Sequence, residues 1–464
     1  MKKIIIIGGG IGGLTASIYL KKQGFDVLIV EASNQLGGLA RSDEFDGMEF
    51  DAGSYILLDK PGLEWSFSKL EIPFEAKIKL HLINHIYEVN EKIRFDKSLA
   101  ETVAHFNSLW NGQGDQYKKF VERTGEIYKK LNPYTYISHP TPWHLLKKLD
   151  VKLIAFMISS LDKVLNKYKL NDELKNAIGI WTNVASQSLS TAPSPMAFVP
   201  SLFHCTGSYY PVNGIGVIAN TLADSAIKAG VTVVKNKSVK KIIIKNGIVT
   251  GVLLNDDKIE DAEIVLCNMS AVSAYMNLLD DSPLKYKNYL QALPLQSPGL
   301  CIYLKVKTRP SSTNPYLQFK LEKNIPTTIA FVNPGVLFEQ QDSYNQARIV
   351  APLPHDVAEK MSKDDEIAIM EKLLAQTWWK KDILNYEVLH QRTSKDWGKD
   401  FNLYRNSMNP VMTASFMRKG RMPHKSRYYK GLYFCGSSTH PGQWISFCSI
   451  SGILASQKIV EHYA

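Results

Sequence analysis

Three glycines and one acid near the start of the chain have the spacing to hold a dinucleotide. Lys3 to Glu31 reads KIIIIGGGIGGLTASIYLKKQGFDVLIVE, with Gly8, Gly10 and Gly13 as G-x-G-x-x-G and Glu31 at its end. The first glycine permits a tight turn, the second admits a pyrophosphate to the backbone, and the third lets a helix pack on a strand. A helix starting there offers unpaired N–H groups and a positive dipole end to phosphate oxygens. Glu31 can accept the hydroxyls of an adenosine ribose. The rival reading is a glycine-rich turn that holds nothing. The flanks decide against it: a β-branched run Ile4 to Ile7, an amphipathic helical stretch stopped by Gly24, and an apolar run Val27 to Val30 ending on the acid.

Other chemistry-bearing groups are dispersed. Cys205, Cys267, Cys301, Cys435 and Cys448 show no metal-ligand spacing, so they read as reduced, structural thiols and no metal site is predicted. Gly214 and Gly216 lack a third glycine and follow no predicted strand, which argues against a separate NAD(P)H domain.

The elements that must position the first motif extend along the whole chain. Its 464 residues, 45% hydrophobic and 21% charged, suit two or three globular domains. Apolar runs stay below the ~18 residues a bilayer span needs. The basic Met1-Lys2-Lys3 start resembles a signal-peptide head, but glycines break the apolar part at once, and a cytoplasmic protein is expected. The net charge of +11 is spread along the chain without a nucleic-acid-binding motif, so no nucleic-acid partner is expected. Attraction to the anionic inner face of a membrane fits better. Trp143 to Tyr168 has a helical period that sets Lys147, Lys148, Lys152, Lys163 and Lys167 around Leu153, Ile154, Phe156, Met157 and Ile158. Such a stretch can lie in a membrane interface or face the core with a solvated basic side, and both readings stand.

Residues 32–60 continue the nucleotide unit through Gly37-Gly38-Leu39-Ala40-Arg41 and Asp51-Ala52-Gly53. Residues 100–200 turn helical and aromatic, with Trp110, Tyr117, Tyr128, Tyr134 and Trp143 read as packing before tunnel wall. Strand patterns return near Tyr209, at 231–234, 239–244, 248–254, 264–268 and through 295–355. A helix over about 364–378, a strand over 431–436 and a last helix over about 444–462 close the chain.

Four blocks together resemble the FAD-dependent amine oxidase and phytoene desaturase superfamily, and within it the bacterial carotenoid desaturase branch. They are the N-terminal unit, Gly37-Gly38, Tyr210-Pro-x-x-Gly214, and Gly436-Ser-Ser-Thr439-His440-Pro441-Gly442. The resemblance implies an α/β fold with a discontinuous Rossmann-like FAD-binding domain of the glutathione-reductase/amine-oxidase type over residues 1–75, 205–290 and 415–464. An inserted α+β substrate domain with a helical subdomain would take 76–204 and 291–414. It implies FAD as cofactor, with Gly8, Gly10, Gly13 and Arg41 toward the diphosphate, Glu31 on the ribose, Val239 at the adenine edge, and Gly37, Gly38 and Gly436 leaving room. Ile11, Gly12, Ala32, Leu39, Gly53, Ser54, Asn268, Ser437, Trp444 and Ile445 complete the cofactor-binding set. The last helix would point its N-terminus at the flavin.

His440 and Arg418 are the catalytic candidates this resemblance offers. The alternatives are a backbone-bonded histidine that shapes the turn and a surface cation; Asp51 reads as a turn acid before a base. The implied activity is dehydrogenation of an apolar polyene or isoprenoid-like small molecule by hydride transfer to flavin, with oxygen or a quinone as electron acceptor. Gln443-Trp444-Ile445-Ser446 departs from the desaturase pattern, and Trp444 would narrow the chamber and favour a shorter substrate than a full carotene. A saturase or isomerase of the retinol-saturase type and an amine oxidase are the enzymatic rivals; a flavin-free binder like the Rab GDP-dissociation inhibitors is the rival outside enzymes.

Overall fold

In the computed structural model the residues described are 2–138, 140, 151–184, 187–280, 282–309, 315–323, 326, 328–338 and 344–463, with backbone alone for Val184, Arg418 and Lys419. A five-stranded parallel sheet organises the cofactor side, in the order Leu432–Phe434, Ile264–Cys267, Lys3–Ile7, Asp26–Val30, Thr232–Val234. Strands from both ends and the middle of the chain therefore share one sheet. Lys3–Ile7 is central, with Ile4 and Ile6 in one core and Ile5 and Ile7 in another. That two-sided burial explains an unbroken isoleucine run where a half-exposed strand would alternate.

Helix Ile11–Lys22 is not amphipathic as its sequence suggests: Ile11 to Ile18 are all buried. Tertiary cover overrides the local pattern, because the last helix, Ile445–Tyr463, lies across it. Thr15 and Ser449 exchange a hydroxyl hydrogen bond at 3.0 Å there, and a Cβ on Gly452 would come within 2.4 Å of the Gly12 carbonyl.

A seven-stranded sheet forms the opposite wall, in the order Ile383–Arg392, Leu300–Thr308, Asn345–Ala351, Thr328–Val332, Leu317–Leu321, His85–Val89, Ile93–Asp96. Its pairs are antiparallel except Leu317–Leu321 with His85–Val89. The periodicity of the sequence singles out the three strands between 300 and 351 that alternate most clearly. It misses Ile383–Arg392, an edge strand with half its residues exposed, and the short 85–96 hairpin. Tyr209–Pro211 is a short strand ahead of Gly214, contrary to the expectation of none. It pairs antiparallel with Leu80–Leu82, outside any βαβ unit.

Helices Leu99–Leu109, Gln113–Leu131, Leu161–Asn166, Asp172–Ile178 and Phe198–Cys205 cover the far end of the seven-stranded sheet. The expected continuous stretch over 143–168 lies outside the described residues up to 150, and beyond it is broken into Val151–Met157 and Leu161–Asn166. Ser160 caps the second piece, its hydroxyl accepting from the Lys163 N–H. Phe156, Leu161, Val164 and Leu165 face the core, whereas Val151 and Ile158 are 73% and 60% exposed. No helix among the described residues is long and apolar enough to cross a membrane.

Candidate active site

The carboxyl ends of the parallel strands meet at Asn268. Its Nδ2 donates to the Gly8 carbonyl at 3.2 Å, its backbone N–H donates to the Ile7 carbonyl at 2.9 Å, and its Oδ1 accepts from the Cys435 thiol at 3.5 Å. One side chain thus ties together the ends of three strands, at the crevice where open α/β sheets bind ligands. The glycines around it have no room for side chains. A Cβ on Gly13 would lie 2.3 Å from the Gly8 carbonyl, one on Gly12 2.6 Å from Asn268 Oδ1, and one on Gly436 2.5 Å from the same atom. Gly10 caps helix Ile11–Lys22 with no side-chain hydrogen bond, and its first turn holds no acid. The turn therefore keeps bare N–H groups and a positive dipole end, as a diphosphate requires.

Glu31 is held from two sides. Oε2 accepts from the Gly9 N–H at 2.7 Å and Oε1 from the Ser33 N–H at 2.9 Å. Each carboxylate oxygen keeps a lone pair for a ribose hydroxyl. Arg41 is committed to Asp43 through Nε at 2.8 Å and stacks over Phe401 at 4.6 Å. Asp43 in turn accepts from Arg392 Nη1 at 2.8 Å. A free phosphate-binding arginine is thus replaced by one anchored in a buried ion-pair network, though it still lines the cavity.

A cavity of about 1140 Å³ runs from this cradle into the helical region. It exceeds the ~300–1000 Å³ of a typical single-ligand site, which is consistent with a dinucleotide and a second molecule. Gly8, Gly10, Ile11, Gly12, Glu31, Ala32, Gly37, Gly38, Leu39, Arg41, Gly53, Ser54, Val239, Asn268, Gly436, Ser437, His440, Trp444 and Ile445 all line it. Gly13 lies behind the wall, where it lets the helix approach the Gly8 turn. The Arg418 side chain lies outside what is described, although its backbone belongs to helix Ala414–Lys419. Trp444 stacks on Phe447 at 4.8 Å and 11° on the cavity wall.

His440 Nε2 donates to the carbonyls of Tyr134 at 3.0 Å and Thr135 at 3.2 Å. Two acceptors facing one ring nitrogen assign the proton to Nε2, and the contact ties the loop before the last helix to the helical region. Asp51 is buried, accepting from Tyr210 Oη at 2.8 Å and the Ile215 N–H at 2.7 Å. Burial raises its carboxyl and Arg348 opposes that rise. These bonds make it the turn acid the sequence suggests. Burial also pushes the Cys267 and Cys448 thiols up to about 12, too high for a thiolate nucleophile at neutral pH.

Three polar residues of the wall carry no sequence signal. Arg348 donates through Nη1 to the carbonyls of Asp51, Ala52 and Gly53 and through Nη2 to that of Ser54, strapping the turn that lines the cavity. Arg421 lies under the loop before the last helix. Asp59 caps helix Lys60–Lys69, Oδ1 accepting from the Gly62 N–H at 3.1 Å. Only the assembled chain brings these side chains to one cavity. Tyr128 and Tyr134 also line it, while Tyr117 is packed wholly inside the core, so the aromatic segment divides between the two roles.

Burial raises the Asp59 carboxyl above its ordinary range. The folded state then holds that proton more tightly than the unfolded chain. The resulting stability is complete below the ordinary carboxylate pKa and is lost as pH rises through the raised value. Asp59→Asn keeps a cap and removes the ionisation. It is expected to melt higher than the parent at neutral pH, with the gain shrinking on acidification. Asp59→Ala forfeits the cap, at a cost of about 1 kcal/mol. Thermal melts of both variants across pH check the sign.

Residues 11–460 match the family described as flavin containing amine oxidoreductase. The chain belongs to that family. It is an FAD-dependent oxidoreductase, and the uncapped turn, the crowded glycines and the ribose-ready Glu31 suit that cofactor. Among its relatives is 4,4'-diaponeurosporene oxygenase of Staphylococcus aureus strain MSSA476, 25% identical and aligned over 99% of this chain and 98% of that protein. In structure the chain resembles an oxidoreductase from Methanosarcina mazei, with TM-score 0.67 and 17% identity over 99% of this chain and 100% of the other. It also resembles putrescine oxidase bound to putrescine, with TM-score 0.67 and 15% identity over 99% of each chain. At such identities the structural likeness speaks for the fold alone. The family match joins the Rossmann-like sheet to flavin chemistry, as expected of the Gly8–Glu31 unit.

Proposed function

We propose that this flavin amine oxidoreductase family member dehydrogenates an elongated, apolar, polyene or isoprenoid-like substrate, with a hydride passing to the flavin. The apolar wall of the cavity carries this reading. Beyond the cradle the wall includes Leu131, Ile154, Met157, Phe198, Val199 and Leu202. Asp59, an acid of the same cavity, is spent on capping helix Lys60–Lys69, and burial favours its neutral form, so a charged amine finds little to pair with, whereas a hydrocarbon chain buries favourably there. The names of the relatives at 25% identity support a carotenoid-type substrate.

FAD supplies a two-electron acceptor for a C–H hydride. With FAD bound, the substrate would give up a hydride to it and a proton from the adjacent carbon to solvent, so that a C=C bond replaces two C–H bonds. The wall holds the reacting carbons, and its packing excludes water from a positive charge delocalised along the polyene. His440, donating from Nε2 to backbone, acts in this reading by fixing the loop before the last helix. Oxygen or a quinone would be the electron acceptor. The exposed Val151 and Ile158, next to the cavity residues Ile154 and Met157, support uptake of substrate from a membrane surface. The same relatives favour a second reading, introduction of oxygen into such a chain.

Anaerobic mixing of the oxidised holoprotein with acyclic carotenoids, their more saturated precursors, and putrescine tests these readings. Bleaching of the flavin band by the precursors, with a product short of two hydrogens, is the expected result. Repeated with oxygen admitted, a product that gains oxygen selects the second reading; bleaching by putrescine alone overturns both.

A further inference from the structure

A half-buried cation sits beside the loop that leads into the last helix, and among the described residues no carboxylate pairs with it. Arg421 is half-buried on the cavity wall, with its Nε shut off from solvent. Its Nη1 donates to the Ser437 carbonyl at 3.3 Å, its Nη2 meets the Met412 sulfur, and its Nε has no hydrogen-bond partner. Arg41 and Arg348, which line the same cavity, each face a carboxylate, that of Asp43 and of Asp51 respectively. Among the described residues Arg421 has no ion pair. Burial accordingly lowers it to about 10, opposed only by the neighbouring Cys448. A partly desolvated, unpaired charge is costly and is retained where an anion arrives to meet it.

The position of the guanidinium says which anion. A Cβ on Gly442 would come within 3.1 Å of Nη2, so the Ser437–Gly442 loop is shaped around the charge. Helix Ile445–Tyr463 begins just beyond, without an acid in its first turn. Two sources of positive potential therefore converge on the stretch of wall formed by Ser437, Trp444 and Ile445. The diphosphate is provided for elsewhere, by the bare turn at Gly8–Gly13. The chamber beyond is apolar. Accepting a hydride, which is two electrons and one proton, leaves a neutral flavin with one added negative charge.

We propose that Arg421 is the counter-cation for the negative charge FAD acquires on reduction, and so sets how readily the ring accepts a hydride. The proposal rests on FAD occupying this cavity with its ring against the Ser437–Ile445 segment. Arg421 acts through its field and takes no proton from substrate.

The test uses the purified holoprotein, Arg421→Gln and Arg421→Lys. The readouts are flavin content, the two-electron midpoint potential, and the dissociation constant for sulfite, whose adduct places negative charge on the ring. With FAD retained, Arg421→Gln is expected to bind sulfite on the order of 10-fold more weakly. Its potential is expected to fall by about 30 mV, the same factor for a two-electron couple. Arg421→Lys, which keeps the charge, stays near the parent in both. Unchanged potential and sulfite affinity in a yellow, folded Arg421→Gln overturn the proposal. So does an unchanged potential joined to lost binding of retinoate, a long-chain carboxylate, because the cation would then serve a substrate head group. Should Arg421→Gln not fold, Arg421→Met, with its unbranched apolar side chain, is measured in the same way. Loss of flavin from both neutral variants with the fold intact also overturns it. A colourless parent protein would sink the placement of FAD itself, a separate failure.

Discussion

Alanine at position 13 will strip the protein of its flavin. The added Cβ would sit 2.3 Å from the Gly8 carbonyl and 3.2 Å from Asn268 Nδ2, and neither can yield cheaply. The carbonyl belongs to the cradle turn, and the amide is fixed by its bond to that same carbonyl. Helix Ile11–Lys22 would have to lift from the strand, turning its N-terminal N–H groups away from the diphosphate position. Overpacking of this kind costs about 1–3 kcal/mol, and the part of it borne by the cradle appears as weaker FAD binding, roughly 5- to 150-fold. The measurement is the ratio of visible flavin absorbance to protein absorbance after dialysis, with circular dichroism to show that the variant folds. Full flavin content in Gly13→Ala would mean that the helix does not need this approach to hold the cofactor.

Arg348→Met is expected to cause the largest loss of stability. The guanidinium is 3% exposed and donates to the carbonyls of residues 51 to 54, with Asp51 Oδ2 at 4.0 Å. Methionine fills much of the same space but leaves those carbonyls without their donor and the buried Asp51 carboxylate without its cation. Breaking a buried pair from one side costs about 3–5 kcal/mol. Part of the cost is recoverable. With Arg348 gone, the tendency of burial to raise the Asp51 carboxyl is unopposed by its nearest cation, and the group will hold its proton to higher pH. Asp51→Asn in the Arg348→Met background should therefore be less destabilised than the sum of the single variants. Urea unfolding of the parent, both single variants and the double variant measures this. Additive losses would show that the two residues do not form one unit.

These two sites differ in how far the sequence alone discloses them. Gly13 is legible because its role is local: a tight turn, a helix start and a strand lie within one stretch of chain, and each leaves a mark on the residues that build it. The same holds for Glu31, whose hydrogen-bond partners Gly9 and Ser33 lie in the same stretch. Arg348 leaves no such mark. It occupies one position of an ordinary strand, Asn345–Ala351, and its partners at 51–54 are nearly 300 residues earlier. Arg421 is a cation in a lysine- and arginine-rich stretch until folding places it under the Ser437–Gly442 loop. The missed strands at 85–96 and 383–392 have a similar cause, since their partners are distant and their own alternation is weak.

By itself the amino-acid sequence determined that this protein cradles a dinucleotide in a strand–turn–helix unit, because turn geometry and helix-end electrostatics depend on neighbours along the chain. Tertiary structure alone decided that Arg41 and Arg348 meet carboxylates, which aromatic side chains wall the chamber, and that helix Ile11–Lys22 is buried nearly all round. Those outcomes depend on contacts between residues hundreds of positions apart. Burial and charge pairing belong to the assembled surface, so no local pattern can encode them.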